Sequence, residues 1–292
     1  MNQYGPHERC ESVSCRDCGI DKQEGLRIMN RIEERLQQVQ AQGHKAFITY
    51  MTAGLPDMQG CAALVKALEE ARIDVVELGI PFSDPVADGP VIQAASYKAI
   101  QQGTNLRKVF DMVVEVRAGG CQVPLVFMMY FNTVTYYGLE AFVDKCIETG
   151  VDGLIIPDLP YEEQKQLQDV LDAKADAPIL IQLVTPVSGD RIPMLLESAR
   201  GFVYCVSSMG VTGQAADFHR NVINYLEQVK SVSRIPVMMG FGIRTAADVL
   251  PMKHIIDGCI VGSHFINLME ENNYSVDVAK EYVKTFKNEM NV

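Results

Sequence analysis

The sequence predicts an α/β chain folded as a single (β/α)8 barrel of the TIM-barrel type, and three observations carry that reading. Eight short runs rich in apolar and β-branched residues recur along it, they are apolar on both faces, and stretches of helical periodicity separate them. Strands buried on both faces and alternating with helices make a parallel sheet covered by helices. Eight such units favour a closed barrel over an open doubly wound sheet.

The segment 30–42 (NRIEERLQQVQAQ) comes first and reads as an N-terminal extra helix that closes the barrel floor. Strands are expected at 46–52, 75–80, 124–129, 153–156, 179–184, 202–206, 235–239 and 258–261. Helical periodicity marks 58–71, 139–149, 161–173 and 217–231 between them. Most strands begin about 23 to 33 residues apart, but the second and third are about 49 apart. The excess holds PFSDPVADGPVIQ and two helical patterns, 91–102 and 105–118, so a helix is inserted in the loop after strand 2. An insertion there lies at the C-terminal face, where barrel active sites are built.

Residues 29–292 form the barrel domain in this reading, and 1–28 form a polar N-terminal extension without amphipathic period, expected to be disordered. Within it Cys10, Cys15 and Cys18 make a C-x4-C-x2-C cluster near His7, which could hold zinc. One short cluster is weak support for a metal site, so the disordered tail is preferred and no metal is assigned. The five remaining cysteines are far apart and suit a reducing compartment as small core residues. A formal net charge of −11 argues against nucleic acid as a partner. No apolar run reaches membrane-spanning length and the N-terminus lacks the apolar core of a signal peptide, so no membrane partner and a cytoplasmic location are expected.

Glu77 is the strongest catalytic candidate, because it sits inside VVELGI, where a carboxylate on a doubly buried strand is costly unless it is paired. It is either a buried glutamate satisfied by a neighbour or a general acid/base tuned by burial. Asp84 and Asp88 follow in SDPVADGP; alone they would be turn or cap residues, with Pro90 suited to a first helical turn. Asp88 gains from lying beside Glu77, since two carboxylates in different environments can take opposite protonation roles.

Glycines after the seventh and eighth strands, Gly240, Gly242 and Gly262, with Ser263, suggest a phosphate cradle, and Thr245 reads as the N-cap of the next helix. Ordinary tight turns are the plainer explanation of either loop alone. SSMGVTG at 207–213 reads as a loop able to close on a ligand, with Thr212 supplying a hydroxyl, or as a plain surface loop. Tyr50, Tyr130 and Tyr204, at or near strand ends, could wall an aromatic pocket or pack in the core. No lysine stands at the C-terminal end of a strand and the histidines form no cluster at the mouth, which disfavours Schiff-base and metal-assisted aldol chemistry. Carboxylate acid–base catalysis on a phosphorylated small molecule remains.

The string ELGIPFSDPVADGP (77–90) closely resembles the signature segment of tryptophan synthase alpha subunits. The similarity runs from about Met29 through FITYMTAGLPD (47–57), DGLIIPDLPYEE (152–163), GVTG (210–213), GFGI (240–243) and VGS (261–263). It implies retro-aldol cleavage of indole-3-glycerol phosphate to indole and glyceraldehyde 3-phosphate late in tryptophan biosynthesis. Glu77 matches the general acid/base, Asp88 the group beside the indole N–H, and Tyr204 a residue near the glutamate. Thr212 matches the closing loop, and Gly213, Gly240, Gly242, Gly262 and Ser263 match positions around the phosphate. Asp84 and its loop match the region facing a beta subunit. The resemblance implies no cofactor in this subunit, pyridoxal phosphate in the beta subunit, and an alpha2-beta2 heterotetramer. Departures are Tyr50, where many members carry Phe, and Ser208 and Met209 in the closing loop. The alternatives are a stand-alone lyase that releases free indole, a non-catalytic barrel that activates a beta subunit, and, more distantly, another phosphate-binding barrel enzyme.

Overall fold

A computed structural model of the chain describes residues 29–206, 215–240 and 242–292, leaving aside the side chains of 215–220. His7, Cys10, Cys15, Cys18, Ser208, Met209, Thr212 and Gly213 lie outside the described residues. The first described element is α1 (Arg31–Ala41), begun by a capping box in which Asn30 and Glu33 satisfy each other's backbone N–H groups. Its buried residues Ile32, Leu36 and Val39 fall on one face and plug the barrel from below. Gly153 leaves the space that Ile32 fills: a Cβ there would come within 2.8 Å of the Ile32 Cδ1.

Strands β1 (Ala46–Thr52), β2 (Val75–Gly79), β3 (Leu125–Met128) and β4 (Gly153–Ile155) follow the expected positions closely. So do β7 (Val203–Val206), β8 (Val237–Gly240) and β9 (Gly258–Val261). The stretch expected as one strand at 179–184 is two segments, β5 (Ile179–Leu180) and β6 (Gln182–Val184), parted only by Ile181. All pairings are parallel, in the order β5-β4-β3-β2-β1-β9-β8-β7-β6. The two ends of that order are consecutive in the chain, so one stretch closes the ring, bonded to β4 by its first half and to β7 by its second. The Ile181 N–H donates to the Leu154 carbonyl at 2.9 Å, holding the join in place.

Helices α2 (Met58–Glu70), α3 (Pro90–Gln101), α4 (Leu106–Ala118), α5 (Phe131–Tyr137), α6 (Leu139–Thr149), α7 (Lys165–Asp172), α8 (Ile192–Leu196), α9 (Ala215–Val232), α10 (Ser263–Glu271) and α11 (Val276–Met290) wrap the outside. The inserted helix is α3, started by Pro90 at its first position. Three expectations need correction. The helix expected at 161–173 is a 3-10 turn (Tyr161–Glu163) followed by the shorter α7. Helix α5, directly after β3, was not anticipated. Thr245 does cap a turn through a capping box with Asp248, but 3-10 turns Ala246–Asp248 and Leu250–Met252 stand where an α-helix was expected. Pro251 lies within the second turn, and its missing N–H and fixed ring prevent the turns from merging into one helix.

Alternate strand residues divide the interior. Ile48, Val75, Val126, Ile155, Phe202, Met238 and Ile260 pack inside the ring on α1, while Phe47, Val76, Leu125 and Val203 face the outer helices. Three aspartates, each one residue ahead of a strand, lock the lower rim. Asp74, Asp152 and Asp257 accept the backbone N–H of Phe47, Leu125 and Val237, at 2.7, 2.8 and 2.8 Å.

Candidate active site

The two-residue period of a strand decides which side chains reach the mouth. Two residues beyond the inward-facing Ile48, Val75, Phe202, Met238 and Ile260 stand Tyr50, Glu77, Tyr204, Gly240 and Gly262. The sequence-predicted residues therefore converge on one layer above the inner core. Tyr50 lies opposite Glu77 in the β1–β2 register.

Glu77 is 1% exposed, and among the described residues neither carboxylate oxygen has a hydrogen-bond partner. Of the two readings available from sequence, no described neighbour supplies the bond that the satisfied glutamate would need. Burial, and then the nearby Asp88 carboxylate, push its pKa up to about 8, so the side chain is largely a neutral acid near pH 7. Asp88 is half-buried, and burial raises it above the ordinary carboxylate range, while a hydrogen bond with Tyr130 pulls the other way. The two carboxyls thus occupy different surroundings, one orphaned and one held.

Tyr130 is not on a strand but at the cap position of α5, and it docks the Asp88 loop. Its hydroxyl accepts the Ala87 N–H at 3.0 Å, and its ring stacks on Phe82 with centroids 5.0 Å apart. Phe82 was missed by sequence reasoning; an aromatic residue inside a polar loop was the available signal. Tyr204 is pushed well above the usual tyrosine range by burial first, and then by the nearby Glu77, Tyr50 and Asp88 side chains. Tyr50 is raised in the same way, burial first and then Asp88. Its ring lies over Gly79, where a Cβ would meet the hydroxyl at 1.9 Å. Tyr50 also packs with Leu55, Ala95, Ala99 and Ile266, joining the site to α3 and α10.

The glycines prove unequal. Gly240 ends β8, and a Cβ there would press on the Tyr204 ring at 2.6 Å, so its bareness makes room for that ring. Gly242 turns the chain with φ at +49°, a conformation that favours glycine. Gly262 is the N-cap of α10 and makes no side-chain cap bond, leaving the first N–H groups of the helix open beside the exposed Ser263. Asp84 is exposed and accepts a hydrogen bond from the Ser83 hydroxyl at 2.6 Å. Among the described residues, no group of His, Cys, Asp and Glu side chains is arranged to hold a metal ion.

Fold and site together describe a parallel α/β barrel with two carboxyl groups, Glu77 and Asp88, gathered with tyrosines at its mouth. A sequence profile described as tryptophan synthase alpha chain matches residues 36–292. A tryptophan synthase alpha chain of Lachnospira eligens is 64% identical over 263 residues, covering 90% of this chain and 100% of its own. One from Alkaliphilus metalliredigens is 43% identical, covering 89% and 99%. The crystal structure of tryptophan synthase subunit alpha from Legionella pneumophila superposes with a TM-score of 0.81 at 30% identity, covering 90% of this chain and 99% of that one. The chain belongs to the tryptophan synthase alpha chain family. The family is one of carbon–carbon lyases that cleave indole-3-glycerol phosphate in tryptophan biosynthesis and work with a beta subunit. Its alpha chains carry no cofactor, pyridoxal phosphate being held by the beta subunit. No helix among the described residues is long and apolar enough to cross a membrane.

Proposed function

We propose that Glu77 and Asp88 carry the retro-aldol cleavage of indole-3-glycerol phosphate to indole and D-glyceraldehyde 3-phosphate. The observation that carries this reading is Glu77 itself, buried, unpartnered at both oxygens among the described residues and holding its proton up to about pH 8. A neutral carboxyl with no internal partner can give its proton to a bound molecule without first breaking a bond to the protein. It protonates C3 of the indole ring, which ends ring aromaticity and puts positive charge on the nitrogen. Asp88 accepts the indole N–H and stabilises that charge. The carboxylate left on Glu77 then takes the proton of the hydroxyl on the carbon attached to C3. As that carbon becomes the aldehyde, the carbon–carbon bond breaks and its electron pair restores the ring. Glu77 ends protonated, as it began, so the cycle closes without exchanging a proton with solvent.

Around this pair, Tyr50 and Tyr204 wall the ring, and Tyr130 holds the loop that carries Asp88. The substrate phosphate sits at Gly240, Gly242, Gly262 and Ser263, while Gly213 and Thr212, which the family resemblance assigns to the phosphate and the closing loop, lie outside the described residues. What supports the cradle is the N-terminus of α10, without a side-chain cap, and the left-handed turn at Gly242, which follow the paired strands β9 and β8. Spending binding energy on the phosphate fixes the ring against Glu77. Asp84 and its exposed loop face the beta subunit, in an alpha2-beta2 assembly located in the cytoplasm.

Indole release by purified protein, alone and with a beta subunit, tests the proposal. Wild type is expected to release indole, faster with the partner, and Glu77→Gln to lose about 10²- to 10⁴-fold in turnover. No release by wild type under either condition would reject the lyase site and favour a non-catalytic partner. High unassisted turnover that a beta subunit leaves unchanged would favour the stand-alone lyase.

A further inference from the structure

A cavity of about 960 Å³ opens at the end of the barrel opposite Glu77. Five cationic side chains from three separate parts of the chain line it: Arg31 and Arg35 of α1, Arg72 in the turn before β2, and Lys284 and Lys287 of α11. Residues three or four apart on a helix share a face, so each helix presents its pair together. Beneath them the buried Asp74 is shared by Arg35 at 2.8 Å and Lys287 at 2.7 Å, two cations on one carboxylate. Arg31 and Arg117 divide Asp152 in the same way, at 2.7 and 2.8 Å.

Three carboxylates on the same wall offset part of this charge. Glu69 is committed to the backbone N–H groups of Gln122 and Val123, at 2.5 and 2.9 Å, and Glu70 pairs with Lys280. Glu34 is the remaining acid on the cavity wall. Arg72 and Lys284 enter no ion pair among the described residues, and both side chains are exposed. Burial first, opposed by Asp74 and aided by the charges of Arg35 and Arg72, draws the Lys287 ammonium below its ordinary range. Cations crowded this closely in a chain of net charge −11 leave a local excess that a ligand of opposite charge would relieve.

We propose that the floor cavity binds a small multivalent oxyanion, bearing phosphate or several carboxylate groups, grasped by Arg72 and Lys284 with Arg35 and Lys287 behind them. Arginine forks and lysine ammoniums suit phosphate and carboxylate oxygens alike. A bound anion would tie the first helix of the barrel to the last, across the α2–β2 turn.

Calorimetric titration of the full chain with pyrophosphate and, separately, with citrate, at constant ionic strength, tests this. The control is the double variant Arg72→Asn/Lys284→Gln. Asparagine is chosen because Arg72 has φ at +66°, which asparagine tolerates better than most residues. Saturable binding is expected, weakened at least about tenfold in the double variant, whose indole release stays at the wild-type rate. Binding of pyrophosphate alone assigns a phosphate ligand, of citrate alone a polycarboxylate, and of both a site that reads charge. No saturable binding of either anion would overturn the proposal. Binding of unchanged strength in the double variant would also overturn it, since the anion would then sit elsewhere.

Discussion

The two ends of this barrel treat buried carboxylates in opposite ways. At the floor, Asp74 and Asp152 are almost fully buried, yet each is held by two cations and a backbone N–H. At the mouth, Glu77 is equally buried and has no hydrogen-bond partner among the described residues. A buried charge without partners is among the costliest features a fold can keep, and the group escapes that cost by staying protonated. The floor carboxylates therefore fasten strands, and the mouth carboxylate remains free to trade a proton. The same division holds in barrels generally, with stability residues at one face and chemistry at the other.

The comparison breaks most severely at the floor. Asp152→Ala leaves the mostly buried Arg117 without its carboxylate, and a loss of about 3–5 kcal/mol in unfolding free energy is expected in urea melts. The molecules that stay folded should keep wild-type turnover, because Asp152 does not reach the mouth. A collapse of turnover at unchanged stability would show that the two ends are not separate.

The mouth responds to pH with the opposite sense from a salt-bridged acid. Glu77 has its folded pKa raised from an ordinary 4.5 to about 8, so the native state holds its proton more tightly than the unfolded chain does. That contribution to stability is fully present below about pH 4.5 and is lost as pH rises to about 8. Glu77→Gln should remove this slope and make the protein relatively more stable at the alkaline end, while lowering turnover by about 10²- to 10⁴-fold. Equal pH–stability slopes in mutant and wild type would mean that Glu77 is not the orphan described. Turnover should fall on the alkaline side as the acid is lost.

Smaller effects sharpen the picture of the site. Gly240→Ala drives a methyl group into the Tyr204 ring, and overpacking of this kind costs about 1–3 kcal/mol. Its KM for indole-3-glycerol phosphate should rise if Tyr204 walls the ring. Tyr130→Phe removes the hydroxyl that receives the Ala87 N–H and bonds Asp88, with an expected loss of about 1 kcal/mol, or roughly fivefold in kcat/KM. An unchanged kcat/KM would show that Phe82 stacking alone seats the loop.

Much of the fold was legible because periodicity reports burial. VVELGI and GCIV are apolar on both faces, and the long gap between the second and third strands announced α3. Less visible was the break at Ile181, which depends on how the ring staggers when it closes and not on the local residues. The turns after β8 were misread because a strong cap at Thr245 starts a helix only where the following residues can continue it, and Pro251 does not. Also present in the sequence, but unread, was the recurring aspartate one position before a strand, in IDVVEL, VDGLII and IDGCIV.

The sequence by itself determined the alternation of strand and helix, the place of the catalytic loop, and the carboxylate on an otherwise apolar strand. These are local matters, set by spacing and by the price of burying a charge. Only the tertiary structure decided that Glu77 has no partner among the described residues, that Tyr130 seats the loop of Asp88, and that Arg72 and Lys284 line one cavity at the floor. Each of those depends on which distant segments come together around the closed ring, and on which of them bring a hydrogen-bond donor.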